Sequence, residues 1–162
     1  MTGIGGQYHR NIHIKLHRKE NWNFGLYENE RYIRTTFVDG NNNNLKFHYQ
    51  VTDDKLFFRA IIVADFNEDH TNDIMVLSAH FNSLITFGMV RVNIKFNFVE
   101  FIYSGDLLSY MLYPGEIHRD IDTHFRITED CYWAFSHMAK SGDEPVFVIA
   151  ELLKRYVKRN EG

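Results

Sequence analysis

Between an asparagine run and an acidic turn the chain alternates strictly. Leu45, Phe47, Tyr49 and Val51 are apolar, and Lys46, His48 and Gln50 between them are polar. A period of two places the first set on one face of a strand and the second on the other, so the segment reads as a half-buried strand with one wet side. Its flanks assign its neighbours. Asp39-Gly40 followed by Asn41 to Asn44 is a turn, because Asn and Gly tolerate positive φ cheaply. Thr52-Asp53-Asp54-Lys55 is a second turn. Tyr32 to Val38 is a strand by composition, and Leu56 to Ala64, more apolar, reads as a central one. The three make an antiparallel meander.

Helical spacing takes over at His70-Thr71-Asn72-Asp73. Thr71 or Asn72 is the expected N-cap, and Ile74, Leu77, Phe81, Leu84 and Ile85 form the apolar stripe. Gly88 suits the left-handed residue that closes a helix. Val90, Val92 and Ile94 then alternate with Arg91, Asn93 and Lys95 in a fourth strand, and Asn97 is a turn. Val99, Phe101 and Tyr103 carry a fifth strand that ends at Ser104-Gly105-Asp106. Beyond Pro114-Gly115, Ile117, Ile121 and Phe125 share a helical face, and Thr128 with Glu129 and Asp130 reads as a fresh helix start. Cys131, Ala134, Phe135 and Met138 continue an apolar face to a stop at Ser141-Gly142. Asp143 then caps a last helix with Pro145 in its first turn and a stripe of Val146, Ile149, Ala150, Leu153 and Val157. Gln7 to Asn21 fits a strand or a short helix equally, and the glycines of residues 1–6 suit no packed element. The order predicts an α+β fold: an antiparallel five-stranded sheet, made of a three-strand meander, a helix and a hairpin, packed with C-terminal helices. A length of 162 residues suits one domain, 1–162, in which 1–20 pack loosely.

Composition removes several function classes. The net charge of −3 leaves no basic surplus for nucleic acid. A single cysteine, Cys131, excludes an internal disulfide and a Cys-rich zinc site. Apolar runs break well short of ~18 residues, so no membrane span is expected, and a start of Met1-Thr2-Gly3-Ile4-Gly5-Gly6 is no secretory signal. Together these place the chain in the cytoplasm. The surplus is aromatic, 14 Phe, 9 Tyr and 2 Trp. Most follow strand alternation and belong to a core; some could instead cover a partner surface. Phe98, Phe101, Tyr103, Tyr110, Leu112 and Trp133 are the candidates for that second role.

The chemistry-bearing patterns are weak. His9, His13 and His17 would share one face of a helix and could ligate a metal, but on a strand they stand ~13 Å apart, and no acid lies among them. A solvated polar face is the simpler reading. His118-x-Asp120-x-Asp122-x-His124 would converge only on a strand, whereas Ile117, Ile121 and Phe125 argue for a helix that scatters the four over a solvated surface. His118-Arg119-Asp120 mimics a kinase catalytic triplet without the following Asn or a preceding phosphate loop. Asp65-x-Asn67-x-Asp69 opens like a calcium loop, then has His70 where Gly is needed and Val76 where Glu is needed. Cys131, on an apolar helix face, reads as a structural thiol rather than a nucleophile. Lys154, Arg155, Lys158 and Arg159 suit the C-terminal end of a helix dipole. No enzyme, cofactor or metal is expected.

Four places in the chain carry a resemblance. Asn21-Trp22-Asn23-Phe24 leads into the meander; Asn82 precedes Gly88-Met89-Val90-Arg91-Val92; the hairpin ends near Tyr103; and Asp130-Cys131-Tyr132-Trp133 leads to Gly142-Asp143-Glu144-Pro145. Over residues 20–155 the chain resembles the YbjN-like family, whose fold is that of type III secretion chaperones. The resemblance implies a small bacterial α+β domain that often dimerises, has no established enzymatic activity, and binds a protein in a chaperone-like or regulatory role. The family's N-terminal helix is the main departure, since Tyr8 to Lys19 is poorly patterned for one. The alternative reading is a small-ligand- or metal-binding domain, even an enzyme, suggested by nine histidines and acid-rich loops.

Overall fold

The structure is a computed structural model. It describes residues 24–27, 32–38, 43–52 and 54–160. His9, His13 and His17, and the choice between helix and strand for residues 7–21, lie outside them. The elements are β1 (Phe24–Tyr27), β2 (Tyr32–Val38), β3 (Asn44–Val51), β4 (Lys55–Val63), a 3-10 turn (Glu68–His70), α1 (Thr71–Leu84), β5 (Met89–Asn93), β6 (Phe98–Asp106), α2 (Leu107–Leu112), α3 (Gly115–Ser141) and α4 (Pro145–Asn160). The class is α+β. The five expected strands are β2 to β6, and the short β1 adds a sixth beside β2, giving the order β1-β2-β3-β4-β6-β5. β1 and β2 are antiparallel with Phe24 opposite Thr35, and β2 and β3 are antiparallel with Tyr32 opposite Gln50.

The chain gathers into two compact units, the first holding the described residues up to Ala60 together with Ile102–Arg126, the second holding Ile61–Phe101 and the chain from Ile127 onward. In the first, the period-two pattern does what it predicts. Ile33, Thr35, Leu45, Phe47, Tyr49, Leu56 and Phe58 are buried, and Arg34, Lys46, His48 and Phe57 that alternate with them are not. The turn at Thr52 closes with its amide donating to the Lys55 carbonyl at 2.9 Å. Aromatic rings tile this core: Tyr49 meets Phe58 edge-on at 5.5 Å, and Phe47 stacks on Phe125 at 5.8 Å. In the second unit Ile74, Leu77 and Phe81 of α1 are buried, as are Val148, Ile149 and Leu152 of α4, and the two helices pack together.

Several boundaries differ from expectation for local reasons. α1 starts at Thr71 without a side-chain cap; the cap falls one turn earlier, where Asn67 Oδ1 accepts from the Asp69 amide at 3.1 Å. Gly88 has φ 71° but stands four residues past the end of α1 at Leu84, so it turns the chain into β5 rather than closing the helix. Asn97, at φ 50°, does make the hairpin turn, and Gly142, at φ 70°, does stop α3. β6 runs on to Asp106, whose carboxylate then accepts from the Ser109 amide at 2.9 Å and caps α2, a helix the sequence pattern does not announce. Thr128 starts no new helix: α3 is one 27-residue helix, and Thr128 is buried within it. The Asp143 carboxylate turns back to His137, 3.3 Å away, leaving the Glu144 carbonyl to accept the first α4 amides.

Candidate functional site

On α3 the four ligand-type residues separate as a helix requires, but not onto one solvated surface. His118 and Asp122 face outward, four residues apart and 3.9 Å from each other. Asp120 and His124 are buried. That corrects the expectation of a wholly solvated set. Asp120 Oδ2 accepts from the Tyr110 hydroxyl at 2.7 Å and from the Tyr103 hydroxyl at 3.0 Å, while His124 lies among the rings of Phe47 and Phe58, 5.6 Å from each. Burial, and then the Asp120 charge, push the Tyr103 hydroxyl up to about 12; burial and the bond to Asp120 push Tyr110 further. A carboxylate held this way orders two strand-end and helix side chains. It is not presented to solvent as a general base.

Other candidates resolve into structure as well. Cys131 is fully buried, and burial raises its thiol well above the ordinary value, which keeps it protonated and unreactive. Glu100 is fully buried and meets Arg91 across the β5–β6 hairpin, with Nε donating to Oε1 at 2.6 Å. Asp65-x-Asn67-x-Asp69 is the capped approach to α1. Among the described residues, no group of three or more His, Cys, Asp or Glu could hold a metal ion, and no helix is long and apolar enough to cross a membrane.

The six partner-surface candidates are not brought together. Phe101 and Tyr110 are buried and offer no surface. Phe98 is half-buried, and Tyr103 is half-buried with its hydroxyl committed to Asp120. Trp133 is half-buried and already stacked: His137 lies on it at 4.8 Å and 14°, and the Arg155 guanidinium sits 4.3 Å from its centroid. Arg155 is thus a cation–π partner rather than a solvated charge. Only Leu112 of the six is well exposed, at 66%, beside exposed Leu108 and Met111 of α2 and exposed Tyr113 just after it. No periodic signal could have found these neighbours, because Leu107 to Tyr113 is apolar on every side apart from Ser109.

The last helix also carries an exposed apolar face. Its apolar arc is wider than the face the unit covers. Val148, Ile149 and Leu152 are buried, yet Val146 is 52% exposed, Leu153 43%, Val157 56%, and Phe147 beside them 61%. Val146, Ala150, Leu153 and Val157 follow one another at intervals of four, three and four, the spacing of a helix–helix seam. Charge runs along the same helix. Asp143 and Glu144 precede it, and Lys154, Arg155, Lys158 and Arg159 occupy its end.

No family model matches the chain. No curated protein matches it. Among solved structures, it is similar to the crystal structure of YbjN from E. coli, at 12% sequence identity and a TM-score of 0.48, over 79% of this chain and 92% of that one. The likeness is one of fold and carries no residue or activity across.

Proposed function

We propose that this protein is a non-enzymatic interaction module that works as a homodimer, with the outer face of α4 as the self-contact. The observation that carries this reading is the exposed seam of Val146, Leu153 and Val157, with Phe147 exposed beside it, on a helix whose Val148, Ile149 and Leu152 are buried. A two-fold axis across the middle of α4 pairs the helix antiparallel with its copy. Val146 then meets Val157, Ala150 meets Leu153, and the acidic start meets the basic end of the partner helix. Sixteen residues make a helix about 24 Å long, a small interface, so the dimer is expected in the micromolar range rather than as an obligate pair. The exposed side chains of α2 are the surface this reading leaves for another protein, to be held in a chaperone-like or regulatory way. The absence of chemistry belongs to the same proposal, supported by a Cys131 thiol kept protonated and an Asp120 carboxylate held by two tyrosines.

Sedimentation across a concentration series, with and without EDTA, tests the reading. The wild-type chain is expected to pass from monomer to dimer regardless of EDTA, and Leu153→Asp to stay monomeric with an unchanged circular dichroism spectrum. A monomer at every concentration, or a dimer indifferent to Leu153→Asp, rejects α4 as the contact. A dimer that EDTA dissolves moves the weight to the metal-binding alternative.

A further inference from the structure

The second unit contains a cavity of about 340 Å³. It opens where the end of β4 leads through the 3-10 turn into the first turn of α1, facing the last turn of α3. Its volume lies at the lower end of the ~300–1,000 Å³ in which small-molecule sites fall. Its floor is apolar. Phe66, Ile74 and Phe135 are largely hidden from bulk solvent, and Met138 is half-buried beside them. Its mouth is acidic: Asp65 comes from the loop after β4, Asp73 from α1 and Asp143 from the link between α3 and α4, all three exposed.

Carboxylates alone would mark only a solvated rim. Here their exposed side chains line the same cavity as the buried apolar residues, and the two features together select a ligand with two ends. An anion is disfavoured, since the start of the α1 dipole supplies about half a positive charge against three carboxylates. His70 also lines the mouth, and His137 stands 3.3 Å from Asp143; neither imidazole outweighs three acids even when both are protonated. A wholly neutral apolar molecule would fill the floor and leave the rim's field unused. A hydrated metal ion would find carboxylates without a gathered ligand set, and nothing to do with the floor. We propose that this cavity binds a small organic cation carrying an apolar body, with the ammonium group among Asp65, Asp73 and Asp143 and the body against Phe66, Ile74 and Phe135. Asp143 is the one residue this inference shares with the dimer proposed above, where it belongs to the acidic start of α4.

The test uses three probes of one shape on the full chain: 2-phenylethylamine, 2-phenylethanol and 3-phenylpropionate, each followed by amide chemical shifts. The amine is expected to give saturable shifts at Phe66, Ile74 and Gly142, with an affinity roughly tenfold above the alcohol's, an advantage that shrinks with added salt. Asp73→Asn with Asp143→Asn should remove most of that advantage and leave the alcohol unaffected. Asp122→Asn, on the outward face of α3 in the first unit, should change nothing. Ala139→Phe, at an exposed helical position on the rim, should block amine and alcohol alike while the circular dichroism spectrum is kept. Equal binding of amine and alcohol, preference for the propionate, or no saturable shift at the three amides with any probe would each overturn the proposal.

Discussion

Asn82 holds Val90 by both of its backbone groups. The Asn82 side-chain amide donates to the Val90 carbonyl at 3.0 Å, and the Val90 amide donates to Asn82 Oδ1 at 2.7 Å. One carboxamide thus stands in for a neighbouring strand at β5, which ends the strand order. Asn82→Ala removes both bonds at once. It is expected to cost about 1–3 kcal/mol, partly offset by the ~0.5 kcal/mol by which alanine outdoes asparagine in a helix. Asn82→Asp keeps the acceptor but loses the donor and faces the Val90 carbonyl with a charge, so it should not rescue. Urea denaturation of the three chains measures this. A midpoint for Asn82→Ala equal to the wild type would mean that water replaces the clasp at no cost.

Gly105 and Tyr110 share one space. A Cβ built on Gly105 would lie 1.7 Å from the Tyr110 hydroxyl oxygen and 2.2 Å from Cζ, so the ring must leave if the glycine gains a side chain. The ring is buried and its hydroxyl is bonded to Asp120, and moving it breaks both arrangements. Gly105→Ala is expected to destabilise by about 1–3 kcal/mol through overpacking. In a Tyr110→Leu background the same substitution should cost much less, because no ring occupies the space. Thermal unfolding of the four chains of this cycle gives the coupling; additive losses would show that the two residues do not compete.

The sheet was legible because its information is local. Alternation at Leu45, Phe47, Tyr49 and Val51 depends on nothing beyond eight residues, and the first three are buried as that pattern requires. The failures share a different cause. Asp120 and His124 read as solvated because they are polar; what buries Asp120 is a pair of tyrosines ten and seventeen residues upstream, which no helical period encodes. Arg155 read as a dipole charge because its aromatic partner, Trp133, lies on the preceding helix. On α4 the stripe was found as an arc, but periodicity gives an arc's centre and not how much of it the rest of the chain covers. Of that stripe Ile149 is buried, while Val146, Leu153 and Val157 are exposed.

Glu100 occupies a polar position of β6 and is nevertheless fully buried, so its charge depends on what lies beside it. Arg91 forms an ion pair with it from the adjoining strand and reaches solvent with the rest of its side chain. Arg91→Ala should leave a buried carboxylate short of a compensating charge and cost up to about 3 kcal/mol, at the low end for such losses because part of the arginine is solvated. Replacing both residues by methionine should recover most of that loss, since the carboxylate's desolvation disappears with it. Chemical denaturation of single and double variants decides the matter: a double variant no more stable than Arg91→Ala would show that Glu100 is held chiefly by other contacts.

The Tyr103–Asp120–Tyr110 network makes the fold sensitive to alkali. Each phenol is neutral when folded, donating to a carboxylate that would repel a phenolate. Tyr103 loses its proton at about 12 in the folded chain against 10.0 when unperturbed. Between these values the unfolded chain binds fewer protons than the folded one, so stability falls as pH rises. The contribution is complete below pH 10 and is lost as pH climbs through 12; Tyr110, shifted further in the same direction, continues the loss above that. Tyr103→Phe should flatten the decline between pH 10 and 12 while lowering stability slightly at neutral pH, where the hydroxyl's bond to Asp120 is gone. Asp120→Asn should bring the Tyr103 titration down without returning it to 10, because burial, the largest cause of the shift, remains. Phenolate absorbance read in parallel with unfolding tests both statements. A Tyr103→Phe chain whose alkaline decline matches the wild type would mean that this phenol loses its proton alike in the folded and unfolded chains and is not held by the network.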